Sequence, residues 1–199
     1  EIANNHNVDY FHSIHSNGYT GKINYPLLLF PGKDDEPDFP AAKEMGSIMW
    51  NQLEEYNRTY WGYNWENVRG DLSFYGYHLG VLKSIEMPGT LSEGSFHDYI
   101  PESWRLMNLD YRRLESWLIA RSFLEFNDAA SVEFGIVNGV VRDNETPVLD
   151  YFFIEDSEDG KKPLNNITVT LKKGADIERV YQGDSLNNGF FMMDSVEAG

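Results

Sequence analysis

Two histidines near the start of the chain, His12 and His15, have the spacing of a pair of metal ligands. Residues 5–16 carry apolar side chains at helical intervals, and on a helix two imidazoles three residues apart lie on one face. No third ligand stands at a fixed spacing from them. We therefore expect no metal and no other cofactor, and we interpret the pair as polar residues on an exposed N-terminal helix.

The acidic segment 156–160 resembles the start of a calcium-binding loop. Calcium needs about six to eight oxygen ligands at regular offsets, closed by a bidentate carboxylate. Counted from Glu155, the twelfth position is Asn166, which cannot supply a carboxylate. The flanking residues also predict strands rather than helices. We therefore interpret the segment as a solvated acidic loop.

Paired carboxylates could hydrolyse a glycosidic bond, one as the acid and the other as the base or nucleophile. Acidic residues near a ring-rich segment provide the candidates: Glu54, Glu55, Glu66 and Asp71. A chain with 32 acidic residues contains many such pairs, so the pattern has little specificity. We assign no catalytic residue from it.

The ring-rich segment itself is the strongest candidate site. It contains Tyr60, Trp61, Tyr63 and Trp65, with Gly62 and Asn64 between the rings. In an extended segment alternate side chains point the same way, so three of the rings would face one side. Such rings either pack into the core or anchor a partner. Because Gly and Asn favour a surface loop, we predict a protein- or glycan-binding surface here.

The charge of the chain limits its partners. With 32 acidic and 16 basic residues the formal net charge is −16, which repels phosphate backbones and anionic lipid. We expect no nucleic acid and no membrane as partners, whereas a protein, either this chain or another, and a neutral glycan remain. The absence of cysteine excludes disulfides, thiolate metal sites and cysteine nucleophiles.

Three further helices are expected in the first part of the chain. Asp38 as the N-cap and Pro40 in the first turn predict a helix that runs to about Asn57. Residues 101–107 predict a short helix. The strongest pattern covers residues 111–126, capped by Asp110 and buried through one face: Leu114, Trp117, Leu118 and Leu124.

The remaining segments favour strands and loops. Residues 23–30 predict a buried strand, residues 71–86 fit a helix or a strand equally well, and residues 87–101 predict a loop. Beyond residue 130, Asn138-Gly139 is typical of a two-residue hairpin turn. Further strands are expected at residues 148–154, 167–171 and 189–194.

These elements predict an α+β fold, with helices mainly in residues 1–126 and an antiparallel β-sheet mainly in residues 130–195. We expect a single domain over residues 1–199, with a helix-rich part at 1–127 and a strand-rich part at 128–199.

The chain lacks the motifs of serine hydrolases, zinc proteases, phosphate-binding loops and dinucleotide-binding folds. Its absence of catalytic motifs favours a non-catalytic binding or assembly protein, such as a structural component of a virion or another large complex. Two alternatives remain open. One is an acidic inhibitor or immunity protein that masks a basic partner. The other is a secreted carbohydrate-binding domain or glycosidase.

Overall fold

The computed structural model describes residues 2–60, 66–129, 134–149 and 153–197. About 30% of the structure is helix and 34% is strand, so the predicted α+β class is confirmed. The helices are α1 Ile2–Asn5, α2 Pro40–Tyr56, α3 Asp71–Tyr75, α4 Ile100–Met107 and α5 Leu109–Phe126. The strands are β1 Phe11–Asn17, β2 Leu27–Phe30, β3 Val68–Gly70, β4 Gly89–Phe96, β5 Phe134–Val140, β6 Arg142–Pro147, β7 Lys161–Pro163, β8 Thr168–Lys173, β9 Asp176–Gln182 and β10 Phe190–Glu197. No helix in the described ranges is long and apolar enough to cross a bilayer.

A four-stranded mixed sheet, in the order β1-β4-β2-β3, lies at the centre of the first part of the chain. β1 is parallel to β4, β4 is antiparallel to β2, and β2 is parallel to β3. The helix predicted for residues 5–16 and the loop predicted for residues 87–101 are therefore wrong, because these segments contain β1 and β4. Gly has a weak strand preference, but pairing on both sides of β4 outweighs it.

The sheet carries a hydrophobic layer on each face. All four residues of β2 are fully buried, as in strands covered on both faces, which confirms the strand predicted for residues 23–30 over its second half. On one face α2 and α5 form the larger core, which includes Leu28, Met45, Met49, Leu53, Leu114, Leu118 and Phe190. On the other face the turns after α3 cover a smaller core of Leu27, Leu29, Leu82 and Leu91. The ambiguous segment 71–86 is thus a short helix followed by turns.

The helices predicted near residues 40–57, 101–107 and 111–126 are confirmed, with corrections at their ends. α2 begins after Phe39 without a side-chain cap, so Asp38 is not its N-cap. The cap of α5 is Asn108 instead of Asp110, and its side chain accepts two backbone N–H groups.

The buried face of α5 is narrower than predicted. Leu114 and Leu118 are fully buried, whereas Trp117 and Leu124 are 36% and 38% exposed. A stripe at intervals of three and four residues places Leu114 and Leu118 at its centre and the other two at its margin.

The described residues of the strand-rich part form three two-stranded antiparallel ladders, β5–β10, β6–β7 and β8–β9. The hairpin turn predicted at Asn138-Gly139 is wrong, because both residues lie inside β5 opposite Met192 and Phe191. A Cβ on Gly139 would stand 2.8 Å from the Phe191 ring, so the glycine makes room for that ring rather than for a turn.

The other strand predictions in this part have mixed outcomes. β8 and β10 confirm the strands expected at residues 167–171 and 189–194. The strand expected at residues 148–154 is not present at Val148 and Leu149, and residues 150–152 lie outside the described ranges.

A buried ion cluster joins α4 to the strand-rich part. The Arg105 guanidinium pairs with Glu102 at 2.8 Å and with Asp159 at 2.7 Å, and Arg142 pairs with Asp159 at 2.8 Å. Tyr99 donates its hydroxyl hydrogen to Asp159 at 3.1 Å. The prediction of a solvated acidic loop is therefore wrong for Asp159, because ion pairs with two arginines hold it in a buried position.

The single domain over residues 1–199 stays a prediction.

Candidate active site

The parallel register of β1 and β4 places His15 beside Glu93. Side chains alternate between the faces of a strand, so residues opposite each other in neighbouring strands project onto the same face, about 5 Å apart. Leu27 lies opposite Glu93 on the other side and belongs to the smaller core. His15 and Glu93 therefore project onto the face of that core, where His15 is exposed to solvent.

Glu93 is a carboxyl group held partly away from water. Burial raises its pKa from 4.5 to about 7, although His97 nearby favours the charged form. Its Oε2 is buried and accepts no hydrogen bond within the described residues. Such an oxygen is costly in a folded protein and is more frequent at functional sites. A pKa near 7 allows the carboxyl group to accept and to return a proton at neutral pH.

A β-bulge follows His15 and Glu93 directly, where the register of β1 and β4 shifts. Bulges are frequent beside active sites, because they redirect side chains. Beyond the bulge, the Asn24 side chain accepts the Phe96 backbone N–H at 2.9 Å and so holds the end of β4 in place. The direction of the Glu93 side chain thus depends on a supported irregularity in the strand.

Two histidines lie near Glu93: His15 is opposite it in the register, and His97 is close enough for its charge to act on the carboxyl group. His15 Nε2 lies 3.0 Å from Ser13 Oγ, two residues back along β1. His97 Nδ1 lies 3.2 Å from the backbone oxygen of Ser16. The site therefore combines one carboxyl group with two imidazoles at one end of the sheet.

A second carboxyl group with a raised pKa, Glu115 of α5, lies behind the sheet. Burial, with a smaller contribution from Glu102, raises its pKa from 4.5 to about 7. Gly94 packs directly against this carboxyl group, and a side chain at Gly94 would overlap with it. Because α5 covers the face of the larger core, Glu115 supports the back of β4 and does not face His15.

The Glu115→Gln protein should show a different dependence of stability on pH. The folded protein keeps the Glu115 proton up to about pH 7, whereas the unfolded chain loses it near pH 4.5. This contribution to stability is complete below the unfolded pKa and is lost as the pH rises through the folded pKa. At about pH 8 we expect the unfolding free energy of the variant to exceed that of the parent by about 3 kcal/mol, a difference that nearly vanishes at about pH 4. Urea unfolding at both pH values measures the effect.

The matched control for this prediction is Glu55→Gln, since Glu55 is an exposed glutamate on α2. It should leave the pH dependence unchanged. If the parent and Glu115→Gln proteins had the same pH dependence, Glu115 would not titrate near pH 7.

The structure separates the two histidines that the sequence pairs. Because β1 is a strand, His12 and His15 project onto opposite faces. His12 is held by Thr90, with 2.9 Å between His12 Nδ1 and Thr90 Oγ1, and packs near Phe123. Burial lowers the pKa of His12 to about 4, so it is neutral at physiological pH. The pair cannot bind one metal ion, and only His15 lies at the Glu93 site.

The four acidic residues near the ring-rich segment do not form a catalytic pair in the described contacts. Asp71 is fully buried and accepts the backbone N–H groups of Gly32 and Leu79, at 3.0 Å and 2.9 Å. Glu55 and Glu66 are exposed. Asp71 therefore stabilises two loops instead of facing a substrate.

The predicted binding surface falls mostly outside the described residues, since Trp61, Tyr63 and Trp65 lie there. Tyr60 is half-buried, and its backbone N–H donates to the Asn24 backbone oxygen at 2.8 Å. It lines a cavity of about 270 Å³ together with Arg58, among other residues. Protein or glycan binding by this segment stays a prediction.

The described ranges contain no group of three or more His, Cys, Asp or Glu side chains placed to hold a metal ion. His15 and Glu93 offer one nitrogen and one carboxylate side by side. Two ligands are fewer than the three or four protein ligands that a stable site usually needs, so these two residues do not by themselves define a metal centre.

No protein-family model and no curated protein matches this sequence. Several solved structures match it. The CwlD amidase from Clostridioides difficile, in complex with the GerS lipoprotein, matches with a TM-score of 0.51 and 22% identity over 64% of this chain and 58% of its own. The catalytic domain of CwlV, an N-acetylmuramoyl-L-alanine amidase from Bacillus (Paenibacillus) polymyxa var. colistinus, matches with a TM-score of 0.52 and 18% identity over 65% of this chain and 63% of its own. The apo N-acetylmuramyl-L-alanine amidase from Mycobacterium abscessus matches with a TM-score of 0.53 and 15% identity over 63% of this chain and 58% of its own.

The chain has the fold of these amidases. The likeness covers about two thirds of the chain, which spans about three-fifths of the length of the matched proteins. It overturns the prediction of a non-catalytic binding or assembly protein and that of a virion component, because the matched structures are enzymes. Of the two alternatives, the secreted carbohydrate-binding domain or glycosidase agrees better with these amidases.

Sequence reasoning missed Glu93 and His97, and it selected His15 for a different reason. The available signal was weak: Phe11, Ser13 and His15 alternate along one strand, and Leu91 and Glu93 alternate along another. Only the pairing of the two strands brings these residues together.

Proposed function

We propose that this chain is part of a hydrolase that cleaves the amide bond between N-acetylmuramic acid and L-alanine in peptidoglycan. In this proposal Glu93 transfers a proton from the attacking water to the amide nitrogen. The Glu93 carboxyl group carries the proposal. Its raised pKa, its unpartnered oxygen and its place beside His15 provide a reactive group on a fold shared with amidases. The substrate class follows from those amidases.

Amide hydrolysis requires a proton to move twice. The Glu93 carboxylate takes a proton from a water molecule as its oxygen attacks the amide carbonyl carbon. It then returns that proton to the nitrogen as the C–N bond breaks. The products are the carboxylic acid of the muramyl group and the free amino group of alanine. A carboxyl group with a pKa near 7 suits both steps, since neither protonation state is strongly favoured at neutral pH.

His15 is the side chain placed to assist Glu93. It is exposed and lies opposite Glu93 in the register, so it can contact a substrate that reaches this carboxyl group. We assign to it the positioning of the carbonyl oxygen or the attacking water. His97 favours the ionised form of Glu93, which is the form that accepts the first proton.

Two predictions from the sequence fit within this proposal. A peptidoglycan strand supplies the glycan that was one of the predicted partners. The segment with Tyr60, Trp61, Tyr63 and Trp65 would then contact that glycan or a protein partner. The charge of −16 is the reason to expect no binding to nucleic acid.

The chemistry of the products tests the proposal and separates it from a glycosidase. Purified peptidoglycan is incubated with the protein, and new alanine amino groups and new reducing sugar ends are measured separately. We expect amino groups without reducing ends, and the Glu93→Gln protein controls for contaminating hydrolases. Reducing ends without amino groups, or no product of either kind, would overturn the proposal.

A further inference from the structure

Three exposed aromatic side chains lie together at the end of α3: Phe74, Tyr75 and Tyr77, named here the ring cluster. They are 39%, 36% and 60% exposed. The Tyr75 and Tyr77 ring centroids are 5.8 Å apart with 33° between the planes, and Phe74 packs edge-on against Tyr75 at 4.8 Å. Gly76 has a φ of 79°, a conformation that glycine adopts readily, and it turns the chain between the two tyrosines.

The ring cluster is attached to a well-supported segment. The Arg69 guanidinium lies 5.7 Å from the centre of the Phe74 ring and pairs with Asp34 at 2.8 Å. α3 itself begins at Asp71, whose buried carboxylate accepts two backbone N–H groups from neighbouring loops. A surface held in this way loses little conformational freedom when a ligand binds.

The ring cluster lies between α3 and the turns that cover the smaller core, and Glu93 projects onto the same face of the sheet as that core. Burial raises the pKa of Tyr75, and the charge of Glu93 is the next contribution, so the phenol and the carboxyl group are close enough to interact. Tyr25 contributes to the same shift and packs against the smaller core beside Leu27, the residue opposite Glu93. A ligand that reaches Glu93 on this face therefore passes near the rings.

The charges around the rings favour a neutral ligand with an apolar face. A net charge of −16 and the nearby Glu93 carboxylate disfavour a polyanion. Exposed aromatic patches usually mark binding sites, and tyrosine combines an apolar ring with a hydroxyl group that stays in water. An N-acetylated pyranose matches this surface, because its C–H face is apolar and its hydroxyl groups can remain hydrated.

We infer that the ring cluster is a sugar-stacking platform that holds the glycan strand of peptidoglycan beside Glu93. This inference rests on the proposed function and extends it: the preferred substrate is a peptide still attached to a polymeric strand, rather than a short free muramyl peptide. The platform binds the strand and leaves the proton transfer to Glu93.

Binding without turnover tests the platform. In the Glu93→Gln background, affinity for an uncharged N-acetylglucosamine oligomer, a model of the strand that lacks the lactyl carboxylates, is measured by calorimetry. Tyr77→Ala should weaken binding about tenfold, which is the upper range for one ring contact, whereas Tyr77→Phe should retain it because the ring face remains. Trp117→Ala is the matched control: Trp117 is a 36% exposed ring on α5, across the sheet from Glu93, and its loss should not change the affinity.

Kinetics provide a second measurement in the protein with Glu93 intact. Tyr77→Ala should raise KM for polymeric peptidoglycan more than it raises KM for a short soluble muramyl peptide. Urea unfolding of each variant confirms that the fold is retained.

The outcomes separate the two proposals. Equal strand affinity in the parent and Tyr77→Ala proteins would overturn the platform, as would a loss of binding in Tyr77→Phe. If Tyr77→Ala abolished self-association in sedimentation instead of strand binding, the cluster would be a contact between copies of this chain. Ring-dependent strand binding without amide cleavage would overturn the proposed function alone, and amide cleavage with ring-independent binding would overturn the platform alone.

Discussion

The Glu93→Gln protein should release alanine amino groups from peptidoglycan at least about a hundredfold more slowly than the parent. Glutamine keeps the size and polarity of the side chain, but it accepts no proton at neutral pH. The raised pKa of Glu93 reflects the cost of burying its charge, so the neutral amide should not destabilise the fold. Initial rates and urea unfolding, measured on the same preparations, check both expectations.

The pH profile gives an independent measure of the same group. If the ionised form of Glu93 accepts the first proton, the rate of the parent should fall as the pH drops below about 7. Glu54→Gln is a matched control, because burial also raises the pKa of Glu54 but this residue lies on α2, across the sheet. It should keep parental activity. Near-parental rates in the Glu93→Gln protein would assign the proton transfer to another residue.

The Arg105→Met protein should lose about 3–5 kcal/mol of unfolding free energy. Arg105 is 2% exposed and bonds to both Glu102 and Asp159. Burial alone would lower the pKa of Arg105, but the two carboxylates raise it well above its ordinary value, so the guanidinium stays charged. Methionine would leave Glu102 in a dry site without its cation, whereas Asp159 would keep Arg142. Urea unfolding at neutral pH measures the loss.

An exposed ion pair on α5 provides the control for this prediction. Arg113 is 59% exposed and lies 2.9 Å from Asp110, so Arg113→Met should cost less than about 1 kcal/mol. Adding Glu102→Gln to Arg105→Met should restore part of the lost stability, since it removes the unpaired charge. A loss below about 1 kcal/mol in Arg105→Met would show that Glu102 does not depend on this partner.

The same unfolding curves test the predicted domain organisation. The ion cluster joins α4 to Asp159 and Arg142 in the strand-rich part, so residues 1–199 should unfold in a single transition if they form one domain. Two separate transitions in the parent protein would contradict that prediction.

Elements whose signals are local could be predicted from the sequence. α5 was recognisable because Leu114 and Leu118 recur at helical spacing, and both are buried as expected. α2 and α4 were recognisable from a proline at the first turn followed by apolar spacing. Errors at their ends were small, since neighbouring residues such as Asn108 and Asp110 are equally suitable caps.

Local preference failed where distant strands competed with it. Asn138-Gly139 is a strong turn signal, yet pairing with β10 places both residues in a strand, where the glycine admits the Phe191 ring. β1 carries a helical spacing of apolar residues but becomes an edge strand through its pairing with β4. In both cases the ladder hydrogen bonds with a distant partner outweigh the intrinsic preference of a few residues.

Composition and periodicity were enough to establish an acidic, cysteine-free α+β chain with three secure helices and a strand-rich second part. The candidate active site could not be predicted from composition and periodicity. Glu93 has a pKa near 7 because the folded sheet buries it, and its neighbours in the sheet, Leu27 and His15, come from strands far apart along the chain. Burial and register are properties of the assembled sheet, so a glutamate that is one of 32 acidic residues in the sequence becomes distinctive only after the chain has folded.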